Sequence, residues 1–413
     1  MDDYIKNMTG FQDFPGPGRL TGYSIDRILD VNAHIHTPYS FSAFSDLEQP
    51  FGMAAREHVE VLGINDFNTV KGYDEFFRLA LKHHIFPLFN IEFISLLAEE
   101  QKKDIRVNDP NNPGRTYFSG KGLRYPFVPP AGKEHFLDDL IEESSGQVRR
   151  MVEKMNQHLK QTVPEVQLSF VKIQNELARE LVRERHVAKA LRLAVSGKYP
   201  DPEKQKEIYT RIFNGLPPAA RPEEPAKLEN EIRSRLLKKG GPAFIPEDPA
   251  AFLPFDTVRD FILEAGGIPC YPVLLDNPKG EITDFEYPME KLADTLEKMG
   301  VYAVEFIPGR NDCNMLAGYV EYFFDRGFLV MFGTEHNTPE MMPLKVSCRH
   351  RVPLTDKLRM ISWQSACVVA AHQYLVARGK TGYCRTDGSC RKDEREYFTD
   401  LGSAVTGYFL KIQ

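Results

Sequence analysis

The chain has 413 residues, of which 42% are hydrophobic and 27% charged, and its formal net charge is −6. This is the composition of a globular protein, long enough for one large decorated barrel or for two to three smaller domains. The mild acidity argues against a protein that binds nucleic-acid polymers through a basic surface.

The sequence also indicates a compartment. It contains no run of about 18 apolar residues, and its N-terminal segment lacks the basic and apolar parts of a secretory signal. We therefore expect a soluble cytoplasmic protein with no membrane partner. The six cysteines are scattered, so free thiols are expected, although Cys384 and Cys390 are close enough in sequence to pair or to bind metal.

Short apolar runs alternate with amphipathic patterns between residues 28 and 95. Runs such as ILDVNAHIHT and IFPLFNIEF are typical of buried strands, and segments such as GYDEFFRLALKHH are typical of helices. Strands that alternate with helices predict successive βα units around a parallel sheet.

The next segments interrupt this alternation. Residues 96–127 are rich in Pro, Gly and Asn, so we expect a long loop that includes Arg115 and Lys121. Residues 133–240 are charged and carry apolar residues at three- and four-residue steps, which predicts a helical insertion.

After residue 250 the alternation returns, from TVRDFILEAGG to FLVMFGTE. An interrupted alternation of this kind predicts an α/β fold, either a barrel or an open sheet. The predicted barrel comprises residues 28–132 and 241–345, with the insertion at 133–240 between its two parts. A mainly helical C-terminal extension, residues 346–413, follows.

Candidate functional residues stand where the predicted strands end, which is where barrels and open sheets collect their chemistry. The first strand ends in the HxH pair His34 and His36, whose side chains point the same way and could bind one ion. Later strands end at Asp66, Glu92, Glu305 and Glu335. Because such a rim needs a cation to offset charge repulsion, a metal site is favoured over structural histidines.

These motifs, in this order, resemble the PHP (polymerase and histidinol phosphatase) family. The matching segments are HIHT, LGINDFNTVKGYDEF, IFPLFNIEF, AGGIPCYP, VYAVEFI and FGTEHN, and they span residues 28–345. RERHVAKAL followed by GGPAFIPED is similar to a segment of the family's small phosphoesterase branch. The resemblance implies a distorted (β/α)7 TIM-like barrel that binds divalent metal ions and hydrolyses phosphoester bonds.

The resemblance also implies the metal ligands. His34 and His36 match the opening pair of the family, Glu92 its bridging carboxylate and Glu335 its late aspartate, and these four are the predicted catalytic and metal-binding residues. His186 matches the histidine of the insertion and, with Glu92, could hold a second ion. Mixed nitrogen and oxygen ligands suit Zn2+, Mn2+ or Fe2+, so we expect one or two such ions.

Several ligands of the family are replaced in this chain. The second motif has Phe67 in place of histidine, the Ala-His-Pro motif reads CYP with Tyr271 in place of histidine, and GTEHN ends in Asn337. The histidine that follows HxH in the family is absent from SFSAF. We expect Asp66, Tyr271 and Asn337 to orient the ligands instead of binding metal.

Basic residues near these motifs are candidate phosphate ligands, since guanidinium groups match the geometry of phosphate. They are Arg183 and Arg185, beside His186, and Arg115 and Lys121 in the predicted loop. The expected substrate is a small phosphorylated metabolite, such as a nucleotide or a sugar phosphate, and not a nucleic-acid polymer.

Two functions are compatible with these patterns. The first is hydrolysis of that metabolite by metal-activated water, which explains why the residues of one complete site remain. The second is a degenerate, non-catalytic barrel that binds a ligand or a partner protein, which the replaced ligands would explain. The sequence favours the enzyme, and it indicates no oligomeric state.

Overall fold

The computed structural model describes residues 8–246, 252–276 and 280–412. Its strands are β1 (Val31–Ile35), β2 (Val61–Phe67), β3 (Phe86–Leu96), β4 (Arg115–Lys121), β5 (Leu253–Pro254), β6 (Ile268–Pro272), β7 (Ala303–Phe306) and β8 (Leu329–Phe332). Its helices are α1 (Glu48–Glu57), α2 (Tyr73–His83), α3 (Ala98–Lys102), α4 (Phe136–Thr162), α5 (Phe170–Lys172), α6 (Glu184–Lys198), α7 (Pro202–Ile212), α8 (Pro225–Ile232), α9 (Phe255–Glu264), α10 (Met289–Lys298), α11 (Cys313–Asp325), α12 (Asp356–Ala377) and α13 (Arg395–Lys411).

Seven of the strands form a nearly closed sheet. They are paired in the order β1, β2, β3, β4, β6, β7 and β8, and the short β5 adds to β3. All neighbours are parallel except β4, which runs antiparallel to both β3 and β6. A parallel bridge between Ile35 and Glu335 joins the segment after β8 to β1. The predicted TIM-like barrel is confirmed.

The predicted loop at residues 96–127 is wrong in its second half, where Arg115–Lys121 form β4. The strand is held by pairing with segments far away in sequence, since Ser119 is opposite both Glu92 of β3 and Cys270 of β6. Gly120 is needed there, because a Cβ atom at this position would lie 2.9 Å from the Ile262 side chain. At this position, a glycine that suggests a loop in the sequence instead reflects close packing of the strand against Ile262.

Helices α4 to α8 fall within the range predicted as an insertion. They have an apolar cluster of their own, which includes Met155, Leu159, Leu191, Ile208 and Tyr209. The apolar face predicted on α4 is buried. The domain boundaries themselves stay a prediction.

The two long C-terminal helices, α12 and α13, share the apolar cluster of the barrel, where Val369 and Phe409 pack with Phe86 and Phe89. No helix within the described ranges combines the length and the hydropathy that a transmembrane span requires.

Cys384 and Cys390 form a disulfide, so the expectation of free thiols is wrong for this pair. A turn in which the amide of Arg385 donates to the carbonyl of Ser389 brings the two cysteines opposite each other. The sequence spacing of the two residues does not reveal this turn. Cys270, Cys313, Cys348 and Cys367 are free thiols.

Candidate metal centre

Three predicted ligands meet at the C-terminal end of β1 and inside β3. Nε2 of His34 lies 3.2 Å from Nε2 of His36, and Oε2 of Glu92 lies 3.7 and 3.3 Å from these two nitrogens. All three side chains are buried, and their ligand atoms lie within 4.8 Å of one another. Among the described residues, this is the group that brings three candidate ligands to one point.

Hydrogen bonds on the far side of each imidazole set its orientation. Nδ1 of His34 lies 2.8 Å from Oε2 of Glu305, and Nδ1 of His36 lies 3.3 Å from Oγ of Ser40 and 4.0 Å from Oδ1 of Asp66. We assign the proton to Nδ1 in both rings from these acceptors, which leaves each Nε2 with a lone pair. Two lone pairs and a carboxylate oxygen that face one point fit a bound cation.

The partner of His34 belongs to a chain of buried charges. Nζ of Lys121 lies 2.7 Å from Oε1 of Glu305 and 3.2 Å from Oδ1 of Asn65, and the side chains of Lys121 and Glu305 are fully excluded from solvent. Burial by itself would raise the pKa of Glu305, but His34 and Lys121 outweigh it and lower this pKa to about 2. Glu305 is therefore ionised and keeps the proton of His34 on Nδ1.

The protonation states of the other two ligands also favour a metal. Burial lowers the pKa of His36, so its imidazole is neutral, as a ligand must be. Burial, together with Glu335 and Glu305, raises the pKa of Glu92 to about 8. A bound cation would stabilise the ionised form of Glu92, because its charge offsets the neighbouring carboxylates. Two imidazole nitrogens and one carboxylate oxygen that face one point therefore fit a divalent transition metal.

Glu335 lies beside this group but directs its carboxylate to other partners. Its carbonyl accepts from the amide of His36 at 2.7 Å, which ties it to the end of β1. Its carboxylate accepts from both terminal nitrogens of Arg310, with Nη1 to Oε1 at 2.9 Å, and from Nδ2 of Asn337 at 2.6 Å. Glu335 is not a member of the three-residue group, so its role as a metal ligand stays a prediction.

Aromatic side chains of the barrel, Phe41 and Phe67, pack with Leu181 of the helical insertion beside the candidate metal centre. The amide of Leu181 donates to the carbonyl of Tyr39 at 3.0 Å, which fastens the start of the insertion's second half to the loop after β1. The rings of Phe41 and Phe67 pack against the His36 ring, with centroids 5.4 and 4.9 Å from it, and they also stack on each other at 5.6 Å. The guanidinium of Arg183 lies about 6 Å from both of these rings.

His186 is close to this region, but its visible contact is local. Its Nδ1 accepts a hydrogen bond from the amide of Arg183 at 3.0 Å, which caps α6, and burial lowers its pKa to about 4. Neutral His186 could bind a metal through Nε2, and this role stays a prediction. Arg185, next to it, lies 5.9 Å from the Phe41 ring and donates to Oδ1 of Asn230 at 3.3 Å.

The residues predicted to support the ligands divide into two groups. Asp66 accepts from the amide and hydroxyl of Thr37 and lies near His36, and Asn337 donates to Glu335. Both positions fit the predicted orienting role. The hydroxyl of Tyr271 instead donates to Glu286 at 3.0 Å, so its visible contact lies outside the three-residue group.

Lys121 and Arg115, the phosphate ligands predicted in a loop, lie at the two ends of strand β4. Lys121 lies inside the barrel on β4 and pairs with Glu305, because the segment that contains it is a strand and not a loop. Arg115, at the other end of β4, lies 3.7 Å from Asp109 and 4.2 Å from the centre of the Phe252 ring.

Sequence reasoning missed Arg310 and the link between Glu305 and His34. Glu305 and Arg310 both lie at the C-terminal end of β7. Arg310 belongs to the short 3-10 turn Pro308–Arg310 that follows the strand. Position after a barrel strand is the signal that points to Arg310. The Lys121–Glu305 pair carried no such signal, because β4 is not recognisable from its own residues.

No family model matches the chain, and no curated protein sequence matches it. Similar chains are found among solved structures. One is a predicted metal-dependent phosphoesterase from Bifidobacterium adolescentis, with 15% identity and a TM-score of 0.50 over 82% of this chain and 96% of that chain. Another is an amidohydrolase from Chromobacterium violaceum, bound to sulfate and without metal, with 14% identity and a TM-score of 0.47 over 78% of this chain and 93% of that chain. The first similarity shows that this chain has the fold of that protein.

Proposed function

We propose that this protein is a metal-dependent phosphoesterase of the PHP type, which hydrolyses a small phosphorylated metabolite such as a nucleotide or a sugar phosphate. The observation that carries the proposal is the convergence of His34, His36 and Glu92 on one point at the barrel rim. The fold shared with a predicted metal-dependent phosphoesterase supports it. A divalent ion held there would polarise a phosphoryl oxygen and lower the pKa of an attacking water.

The side chains of this protein supply the environment for that chemistry. Phe41 and Phe67 pack against the His36 ring and help to keep this buried side chain away from bulk water. Glu305 accepts from Nδ1 of His34, and Ser40, whose hydroxyl donates to Asp66, lies 3.3 Å from Nδ1 of His36. These contacts keep the two Nε2 atoms aimed at the same point. The site is therefore oriented before a ligand arrives.

Basic side chains around the site favour an anionic substrate. Burial and, to a smaller extent, the positive charge of Arg233 lower the pKa of Arg185 to about 10, so its guanidinium is still charged at neutral pH. Arg183 lies next to the aromatic pair that covers His36. We propose both arginines as phosphate ligands, since a phosphate would offset the repulsion between closely spaced guanidinium groups.

The proposed cellular location is the cytoplasm. Four of the cysteines are free thiols, which fits a reducing compartment, whereas the Cys384–Cys390 disulfide is the feature that opposes it.

Turnover of a phosphate panel tests the proposal. The protein is loaded with Mn2+ or Zn2+ and offered sugar phosphates, nucleotides and a chromogenic phosphodiester. We expect hydrolysis of at least one class, and a loss of 100-fold or more in His36→Asn. His84→Asn, at an exposed position outside the site, is the matched control and should keep full activity. Full metal occupancy without turnover of any compound would contradict the enzyme and favour a binding module.

A further inference from the structure

Arg310 is a fixed positive charge at the edge of the candidate metal centre. Its two terminal nitrogens meet the two carboxylate oxygens of Glu335, which gives a two-point contact. The main chain around it is also held, because Nε of Arg349 donates to the carbonyl of Arg310 at 2.9 Å and the amide of Arg349 donates to the carbonyl of Asn311 at 3.0 Å. Both the side chain of Arg310 and the turn that carries it are therefore held in place by hydrogen bonds.

The charges around the two histidines leave room for one divalent ion. Three carboxylates lie within 4.0 Å of an imidazole nitrogen of His34 or His36: Asp66, Glu92 and Glu305. The fourth acidic residue, Glu335, accepts from the His36 amide through its main-chain carbonyl. The permanent cations bound to these carboxylates are Lys121 and Arg310. With Glu92 ionised, as a bound cation would make it, four negative and two positive groups leave a surplus of two negative charges, which a single divalent ion neutralises. A second divalent ion would leave an equal positive surplus in a largely buried site, and that is costly.

Residues at the positions of the replaced ligands have other partners. Phe67 stacks on His36, and Asn337 donates to the same carboxylate that binds Arg310. The hydroxyl of Tyr271 donates to Glu286. At these three positions the chain therefore offers no free imidazole for a further ion.

We propose that Arg310 takes the place of a second metal ion. In this arrangement one divalent ion binds at His34, His36 and Glu92, and the guanidinium of Arg310, fixed by Glu335, binds a phosphoryl oxygen of the substrate. The inference rests on the proposed phosphoesterase function. A guanidinium has five N–H donors, so the contact with Glu335 leaves donors for a phosphate. The Arg310 side chain is 43% exposed while that of Glu335 is 12% exposed, so the guanidinium is open to a ligand from solvent.

Metal and phosphate binding by the full-length chain test this without reference to turnover. Mn2+ is titrated by calorimetry and counted by elemental analysis, and inorganic phosphate is then titrated into the Mn2+-loaded protein. We expect one Mn2+ per chain in the wild type, and phosphate affinity at least 10-fold weaker in Arg310→Gln. Arg310→Lys keeps the charge but loses the two-point contact with Glu335, so it should bind phosphate more weakly than the wild type and more tightly than Arg310→Gln. Arg27→Gln, which breaks the surface pair with Glu60, is the control and should change neither value.

Two results would overturn the inference. One is the binding of two or more Mn2+ ions per wild-type chain, and the other is wild-type phosphate affinity in Arg310→Gln. If Arg310→Gln does not fold, the same titrations in Arg310→Lys and Glu335→Gln decide, because loss of the Glu335 anchor should also weaken phosphate binding. One ion and Arg310-dependent phosphate binding, without hydrolysis of any phosphoester, would support the inference and count against the proposed function.

Discussion

Glu305 joins Lys121 to His34 through its two carboxylate oxygens. Oε1 accepts from the lysine ammonium at 2.7 Å and Oε2 accepts from Nδ1 of the imidazole at 2.8 Å, in a part of the barrel from which water is excluded. An antiparallel strand, β4, and a parallel strand, β7, therefore act together on a ligand of β1. The interior of the barrel thus sets the tautomer of His34, a proposed metal ligand at its rim.

This relationship predicts the effect of Glu305→Gln. The amide cannot neutralise Lys121, and it presents a donor as readily as an acceptor to His34. We expect Mn2+ affinity to fall about 10- to 100-fold, and the free energy of unfolding to fall by about 3 to 5 kcal/mol because a buried charge loses its partner. Calorimetry and urea denaturation measure the two effects. Glu60→Gln, in the exposed Arg27–Glu60 pair, should cost less than about 1 kcal/mol, and an equal cost in both variants would refute the argument.

A divalent metal should stabilise the folded chain, because the three ligands converge only when the barrel is formed. At a free metal concentration of about 100 times Kd, the free energy of unfolding should rise by about 2.7 kcal/mol. Thermal denaturation with Mn2+, and again after EDTA, measures this. His36→Asn should abolish the increase and His84→Asn should keep it. An unchanged melting temperature on chelation of protein that contains metal would contradict a metal centre.

Gly333, directly after β8, packs against His34, a proposed metal ligand. A Cβ atom at this position would lie 2.2 Å from Cβ of His34, which forces the two segments apart. We expect Gly333→Ala to cost about 1 to 3 kcal/mol of unfolding free energy and to weaken metal binding. Gly318→Ala, on α11 with open space around its Cβ position, is the matched control and should be neutral or stabilising by up to about 1 kcal/mol. Wild-type metal affinity in Gly333→Ala would show that the packing of His34 is unimportant.

His372 should make the protein sensitive to acid. It is fully buried on α12, its Nε2 donates to the carbonyl of Gly266 at 2.8 Å, and burial lowers its pKa from 6.5 to about 4. The unfolded chain takes up a proton below pH 6.5 while the folded chain does so only near pH 4. Stability is therefore lost as pH falls through this window, by up to about 3 kcal/mol.

Urea denaturation between pH 7 and pH 4 measures this dependence. We expect His372→Gln to have a flatter profile than the wild type over that range. His135→Gln, at an exposed position, should follow the wild-type curve. A wild-type slope in His372→Gln would assign the acid sensitivity to other groups.

Much of the barrel and half of the site could be predicted from local patterns. The alternation of side chains along a strand is enough to place His34 and His36 on one face, and the position of Glu92 within an apolar run puts it in the neighbouring part of the sheet. The helices between the strands follow from their 3.6-residue periodicity, which does not depend on distant residues. These features are encoded within about ten residues of chain each.

The remainder of the site depends on residues far apart in sequence. Lys121 belongs to a strand only because β3 and β6 pair with its main chain, and it meets Glu305 only because the sheet closes. Arg310 meets Glu335 because β7 and β8 end side by side. The sequence by itself determined the alternation of strands and helices outside β4 and the pair of imidazoles at the first strand end. Only the tertiary structure decided which buried charges neutralise one another, since electrostatic pairing depends on distance in space and not along the chain.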